Sequence, residues 1–441
     1  MTLRLPDRAR EIVGPEQVVT DPAALAPYAV DGVSPGAAAR PGTAEEAAAL
    51  LTAAAERGAG VLPRGAGEHQ HLGGVPARAD LVIDATRLVG IVDYEPADYV
   101  AAVRAGTPLA SLQAELGRND QWLPLDPPGG QRATLGGLIA ANRNGPRRLL
   151  FGAIRDMLIG VRVALPTGEV IKAGGKVVKN VAGYDLTKLF IGSLGAAGVI
   201  TEATFKISPR PGDGVTVCVT LPDLAAAHAL TTSVMRSYLL PSALEAANPA
   251  ALAHLAAAAG MAVPQPGSWG VLLLAEGLAE SRARHVDEMR RLVGGGAMEV
   301  LDGAVHAALW SAVAEFPSPA THPGAVVCRA GGPIGRWADL ARAAGTVRTA
   351  AGMVQILARA GVGLIYAAGA ADDGLAIAGA LDRAAAEVGG YAVVEVAPPA
   401  LKPRLPVWGE PPGGLDLMRR LRAQFDPRGI MVPGRLGWGL S

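Results

Sequence analysis

Between Gly174 and Ile207 the chain reads GGKVVKNVAGYDLTKLFIGSLGAAGVITEATFKI, and its apolar positions change period within that stretch. Leu186, Leu189 and Phe190 recur at helical spacing behind Asp185, a candidate N-cap, so a short helix is predicted that Gly192 ends. Beyond Gly192, Gly195 and Gly198, residues Val199, Thr201, Ala203, Phe205 and Ile207 alternate with Ile200, Glu202, Thr204 and Lys206, the pattern of a half-buried strand. Glycines this dense at a helix-to-strand turn let backbone pass where a Cβ would clash, against another segment or a flat, phosphate-bearing ligand.

The same reading upstream predicts a helix over Ala44 to Arg57 capped by Thr43, a strand over Gly60 to Pro63 and a turn at Arg64-Gly65-Ala66-Gly67. Strands follow at Leu81 to Asp84 and Tyr99 to Val103, a helix at Leu109 to Leu116, and a strand pair at Met157 to Leu165 and Glu169 to Lys172. Pro209-Arg210-Pro211-Gly212 marks a boundary. Past it, strands (215–221, 269–275, 363–368, 391–396) alternate with helices (224–236, 280–292, 375–388), which suits an antiparallel sheet with helices on one face. A last helix, Leu415 to Arg422, leads into Phe425-Asp426-Pro427-Arg428-Gly429, a tail that packs back on the body. The fold class is α+β.

Length adds that 441 residues suffice for two or three domains. Forty basic residues balance forty acidic ones, so there is no electrostatic case for a nucleic-acid partner. Cys218 and Cys328 are too few and too isolated for an iron-sulfur or zinc site, and they fit a reduced cytoplasm. Any electron-carrying cofactor is therefore expected to be organic. The start, MTLRLPDRAREIVG, lacks the apolar core of a secretory signal, so a cytoplasmic location is expected. The uncharged run between Glu245 and Glu276 is broken by Pro249, Pro264 and Pro266 and carries Asn248, His254 and Gln265, so it reads as packed helix and loop.

Two loops have the composition of ligand cradles. Arg64-Gly65-Ala66-Gly67 fails the dinucleotide fingerprint, because Gln70 stands at the third glycine, but successive backbone N–H groups in such a turn can form an anion nest. Thr134-Leu135-Gly136-Gly137, with Asn142 and Gly145, offers a second cradle with a hydroxyl and an amide.

On these residues the chain resembles the flavin-binding oxidases of the vanillyl-alcohol oxidase type, whose FAD-binding domain is called PCMH-type, and within them the FAD-binding E subunits of glycolate oxidase. The carriers are Pro63 to Gly67 with Gly73-Gly74, QWLPLDPP (121–128), TLGGLIAAN (134–142), Phe151-Gly152 with Arg155-Asp156, KVVKNVAGYDL (176–186) and FDPRGIMVPGR (425–435). The resemblance implies a PCMH-type FAD-binding domain of two α/β subdomains over residues 1–210. A smaller α+β cap domain with an antiparallel sheet over 211–398 is implied next, then a segment, 399–441, that packs back toward the flavin domain. It also implies that Arg64, Gly65, Ala66, Gly67, Glu68, His69 and Gly73, with Pro127, Thr134, Gly136, Gly137, Asn142 and Gly145, hold the FAD pyrophosphate. Gly152, Arg155 and Asp156 would lie near the ribityl or isoalloxazine part, and Gly198, Val199 and Ile200 would border the flavin. FAD is expected to be noncovalent, because Glu68 stands where covalent relatives carry a histidine and His69 is displaced by one.

Three positions depart from the pattern. Glu68 replaces a threonine and brings a carboxylate near two phosphates unless it points away or pairs with a base such as Arg64. Ala196-Ala197 replace threonine-leucine, and Val432 replaces an asparagine. No H-x-G-D-G-N-x-H run exists, and no catalytic residue can be named. His69 and His71 lack a third metal ligand, so no metal is expected and the two read as a polar surface loop. Lys176 and Lys179 read as a solvated strand edge, Trp310 and Trp408 as core or interface, and Arg435 as a weak candidate for a carboxylate.

The expected function is an FAD-carrying subunit of a glycolate oxidase-like complex acting on a small 2-hydroxy acid. A catalytic flavin subunit and an iron-sulfur subunit would be its partners, and any membrane association would be peripheral and run through them. The alternatives are a self-sufficient FAD-dependent alcohol or hydroxy-acid oxidase, and a structural subunit that has lost flavin, which Glu68 keeps open.

Overall fold

The computed structural model describes residues 3–176, 184–262, 265, 267–349 and 352–440. The first sheet runs in the order Val18–Val19, Ala38–Ala39, Leu81–Asp84, Val61–Arg64, and its last three strands are parallel. The helices Leu5–Val13 and Ala44–Glu56 contribute to its core. Thr43 caps the second, accepting the Glu46 N–H at 3.0 Å, and small alanines let that helix lie close.

The tail completes this sheet. Val61 donates to the Ile430 carbonyl at 2.8 Å and accepts from Val432 at 2.9 Å, in a parallel bridge with Met431 between. The buried Asp426 carboxylate fixes the approach by accepting the N–H groups of Ile430 (3.0 Å) and Met431 (2.8 Å).

The second sheet is antiparallel, in the order Ile91–Glu95, Val100–Arg104, Val199–Lys206, Leu158–Ala164, Val170–Gly174. Its central strand is the one predicted after the glycine turn. Gly198 enters it at φ +132, where a Cβ would sit 2.5 Å from the Ala164 carbonyl, so this position requires glycine. The helix before the turn is shorter than predicted, Thr187–Phe190, and Leu186 occupies the N-cap without a side-chain bond. Asp185 instead accepts the Thr187 hydroxyl and pairs with Lys188 at 2.9 Å. Lys176 is exposed and paired with Asp93, while Lys179 and most of the KVVKNVAGYDL run lie outside the described residues.

The third sheet has eight strands, all antiparallel, in the order Met298–Leu301, Gly214–Leu221, Trp269–Glu276, Ala243–Ala247, Gln355–Arg359, Leu364–Gly369, Val326–Gly331, Tyr391–Val396. Helices Leu224–Arg236, Ala279–Val293, Trp337–Gly345 and Gly374–Glu387 pack on one face. Contrary to the one-sided expectation, Pro249–Ala259 and Gly303–Glu315 pack on the other, because Ala243, Ala247, Leu272, Leu274, Val327 and Leu357 make that face apolar too. This second face also carries Glu245, Arg329, Arg359 and Glu395, which turn toward the first half of the chain. Among the described residues no helix is long and apolar enough to cross a membrane.

Replacing Asp426 with alanine strands two buried N–H donors, at about 1–3 kcal/mol each. Chemical denaturation is expected to show a loss of roughly 2–5 kcal/mol for Asp426→Ala. A loss within error would mean that this carboxylate does not hold the tail.

Candidate functional site

Strand Val61–Arg64 ends in the Gly65 to Gln70 loop, which faces the segment Thr134 to Gly137 across a cleft. Arg64, Gly65, Ala66, Gly67, Glu68, His69, Thr134, Gly136, Gly137, Gly198, Val199 and Ile200 line it together. Gly73, Pro127, Asn142, Gly145, Gly152, Arg155 and Asp156 do not, and several of them shape the turns behind it. Gly73 lies close under the Arg435 carbonyl, Gly145 lies tight on Asp126, and Asn142 takes a left-handed φ of 48°. Asp156 accepts the Ala153 N–H at 2.8 Å, with Gly152 close against its carboxylate.

The cleft presents backbone donors. Among the described residues, the N–H groups of Ala66, Gly67, Glu68 and His69 have no protein acceptor. Four such groups in a glycine-rich turn form the nest that a pyrophosphate fits. The opposite wall comes close only because residue 65 has no side chain: a Cβ there would overlap the Thr134 hydroxyl. Gly67 takes φ +90, and beside Gly137 a Cβ would meet only the Thr134 hydroxyl within 4 Å, so this wall too is bare backbone.

Glu68 does not spoil the nest. Its carboxylate takes two bonds from Arg132, both 2.8 Å, and not from Arg64, whose guanidinium lies over the Tyr28 ring at 5.1 Å. Both oxygens are thus directed to a guanidinium.

The two histidines, of which His69 lines the cleft, differ from the surface loop expected of them. Both His69 ring nitrogens and His71 Nε2 are buried without a hydrogen-bond partner among the described residues. Burial, then the Arg143 charge, lowers both rings, His69 well below the usual histidine value and His71 to about 3. Arg143 donates to Glu395 at 2.8 Å, and Arg329 meets the other Glu395 oxygen at 2.9 Å. Lys402 donates to Asp31 at 2.7 Å and to the His71 carbonyl. Arg435 reaches the cleft from the tail and donates to the carbonyls of Gln70 (2.8 Å) and Leu72. Sequence reading left Lys402 out and gave Arg435 no firm role, and no local pattern could place either, since Gln70 and Arg435 are 365 residues apart. Trp310 lies in the core and donates to Thr216, while Trp408 donates to the Arg435 carbonyl behind the cleft. Among the described residues no group of three or more His, Cys, Asp or Glu is placed to hold a metal ion.

Residues 35–174 match the family described as FAD binding domain, and residues 210–330 with 409–436 match the one described as FAD linked oxidases, C-terminal domain. An FAD-linked oxidoreductase of Mycobacterium tuberculosis is 30% identical, with 97% of each chain covered. The chain belongs to the FAD-linked oxidase family, and FAD is its cofactor. The glycolate oxidase subunit GlcE of Escherichia coli is 46% identical over 123 residues, 28% of this chain and 35% of that protein. The match thus spans about a third of that relative's length. The structure of p-cresol methylhydroxylase superposes with a TM-score of 0.72 at 15% identity, covering 98% of this chain and 96% of that one. The expected α+β, PCMH-type fold is therefore present.

Two outcomes test this site. Gly65→Ala is expected to lower FAD affinity about tenfold or more by forcing the walls apart, read as flavin absorbance per protein after gel filtration. His71 is neutral in the fold down to about 3, whereas the unfolded ring takes up a proton below its ordinary value of 6.5. Stability is therefore full above that value and falls as pH drops through the window below it. His71→Gln should flatten the decline in denaturation free energy between neutral pH and about pH 5, and an unchanged slope would remove His71 as a cause.

Proposed function

We propose that this chain is the FAD-binding subunit of a glycolate oxidase-like 2-hydroxy-acid oxidoreductase. Residues 1–210 hold the flavin, 211–398 form the cap and 399–441 pack back toward the flavin half. FAD is held noncovalently, with its pyrophosphate on the Ala66 to His69 nest and the Thr134 to Gly137 wall. When bound it supplies a two-electron acceptor for oxidation of a hydroxyl-bearing carbon. The chain's part is to bind, to orient and to exclude water. The observation that carries this reading is the Glu68–Arg132 pair, which leaves the nest open to phosphate and argues against a subunit that has lost flavin.

The identity to GlcE supports the subunit role. So do the cysteines: burial pushes the thiols of Cys218 and Cys328 up to about 12, so neither is poised for redox chemistry. Electrons would leave through a separate iron-sulfur subunit, beside a catalytic flavin subunit, in the cytoplasm, with any membrane contact made by those partners. A second reading, a self-sufficient hydroxy-acid oxidase, is favoured by guanidinium nitrogens of Arg143, Arg329 and Arg359 near the seam between the two halves that lack a hydrogen-bond partner among the described residues.

Acid precipitation of the purified chain is expected to release yellow flavin into the supernatant; flavin that stays in the pellet would contradict noncovalent binding. Anaerobic glycolate should bleach the co-purified complex quickly and the lone chain slowly. Fast bleaching of the lone chain, with peroxide formed in air, would replace the first reading with the second.

A further inference from the structure

A second cavity lies across the glycine turn from the FAD cleft. Leu194, Gly195 and Gly198 line the cleft, whereas Gly192, Ser193, Ala196 and Ala197 line the second cavity, so one stretch of chain is a wall of both. The cavity has a volume of about 360 Å³, within the range of sites that take small organic molecules. Its opposite wall is the last helix, Leu415–Phe425, through Met418, Leu421, Arg422 and Phe425, and the end of the chain adds Gly437, Trp438 and Leu440. Ala196 and Ala197, which depart from the family pattern, stand where longer side chains would take up this space.

The aromatic side chains here are fixed in place. Trp408 and Trp438 lie 6.3 Å apart between ring centroids, an approach that Gly437 permits, since a Cβ there would sit 2.7 Å from Trp408 Cδ1. Trp408 Nε1 donates to the Arg435 carbonyl and Trp438 Nε1 to that of Gly409, both at 3.0 Å, so the rings offer carbon, not N–H, to an occupant. Trp438 holds φ +59°, a left-handed backbone that a bulky residue adopts only at a cost, and such strain gathers at ligand sites. The Ser193 hydroxyl is turned into its own loop and donates to the Phe190 carbonyl at 2.9 Å. Arg422 is the one charged side chain among the lining residues. Its Nη2 donates to the Met431 carbonyl at 2.8 Å and lies 3.6 Å from the buried Asp426 carboxylate, which balances its charge. Its Nη1 is buried without a hydrogen-bond partner among the described residues.

We infer that this cavity binds an uncharged, flat aromatic molecule with a carbonyl oxygen, its ring against Trp408 and Trp438 and its oxygen accepting the spare Arg422 donor. Indoles already held by hydrogen bonds favour a flat ring, because stacking then costs little side-chain ordering. An acid is disfavoured, since Asp426 supplies the counter-charge and a second carboxylate would be buried near it. A pure hydrocarbon would leave the Nη1 donor unsatisfied. The site rests on the cavity and Arg422 and is independent of the proposed 2-hydroxy-acid function.

Isothermal titration of the full, FAD-loaded chain with coumarin, naphthalene and 1-naphthoate tests this, with flavin absorbance and melting midpoint recorded for every variant. Coumarin, flat and uncharged with a carbonyl, is expected to bind at one site and to quench tryptophan fluorescence. Naphthalene, of the same size without the oxygen, and the anionic naphthoate are expected to bind about tenfold or more weakly. Met418→Trp, which fills the cavity from the helix side, should weaken coumarin by about tenfold or more and leave FAD content unchanged. Arg422→Met should bring coumarin down to the level of naphthalene. If that variant fails to fold, the difference between coumarin and naphthalene in the parent chain reads the same bond. Absence of coumarin binding, or binding unchanged in Met418→Trp, would overturn the inference. So would naphthalene or naphthoate binding as tightly as coumarin. A dimer seen by sedimentation that Met418→Trp abolishes and coumarin leaves intact would assign the cavity to a second copy of the chain and overturn it as well.

Discussion

The two halves of the chain are joined through buried charge. Arg143, from the flavin half, and Glu395, from the eight-stranded sheet, meet at 2.8 Å with 5% and 3% of their side chains exposed. Removing two ions from water is expensive, and only close geometry with further partners offsets it. Glu395 has a second guanidinium in Arg329, and Arg147 ties Glu276 of the sheet to Asp126 of the flavin half. A loop that moved away here would strand charge on both sides. The seam therefore fixes the orientation of sheet and cleft more firmly than apolar contact would, since apolar surfaces tolerate sliding and a fork on a carboxylate does not.

Against that rigid seam the proposed cofactor cleft is built mainly from main chain. Its donors are N–H groups, and its width is set by the missing side chain at Gly65 and by the left-handed turn at Gly67. The charged groups near it serve chiefly to keep it open: Arg132 neutralises Glu68, and Arg435 ties the tail to the carbonyls behind the loop. A backbone nest of this kind can bind phosphate through shape and dipoles and needs little net positive charge, in keeping with a chain whose formal charge is zero.

Local periodicity carried much of this architecture. The helices Leu109–Leu116 and Leu224–Arg236 and the strand Tyr391–Val396 lie where spacing alone places them, and the Gly65 loop meets Thr134 as two cradles of one ligand would. The strands Ala243–Ala247, Val326–Gly331 and Gln355–Arg359 went unread for one physical reason. Each carries a buried ionisable side chain, Glu245, Arg329 or Arg359, that breaks the apolar run by which a strand is recognised. Where the pattern fails, the structure has placed its seam, which is the kind of local conflict expected at a functional region. Lys402 and Arg435 were illegible for a different reason, because their partners lie hundreds of residues away.

The pairing of the tail with Val61 bears on when the protein can first take up its cofactor. The strand that leads into the nest gains its outer neighbour, and the loop gains the Arg435 bonds, only from residues some 365 positions later in the chain. During synthesis the flavin half therefore emerges with one sheet edge bare and its cleft unbraced. With the flavin on this loop, as proposed, its tight capture is expected to wait for translation to pass Arg435, so that assembly of the holoprotein follows translation of the tail and does not accompany that of the loop.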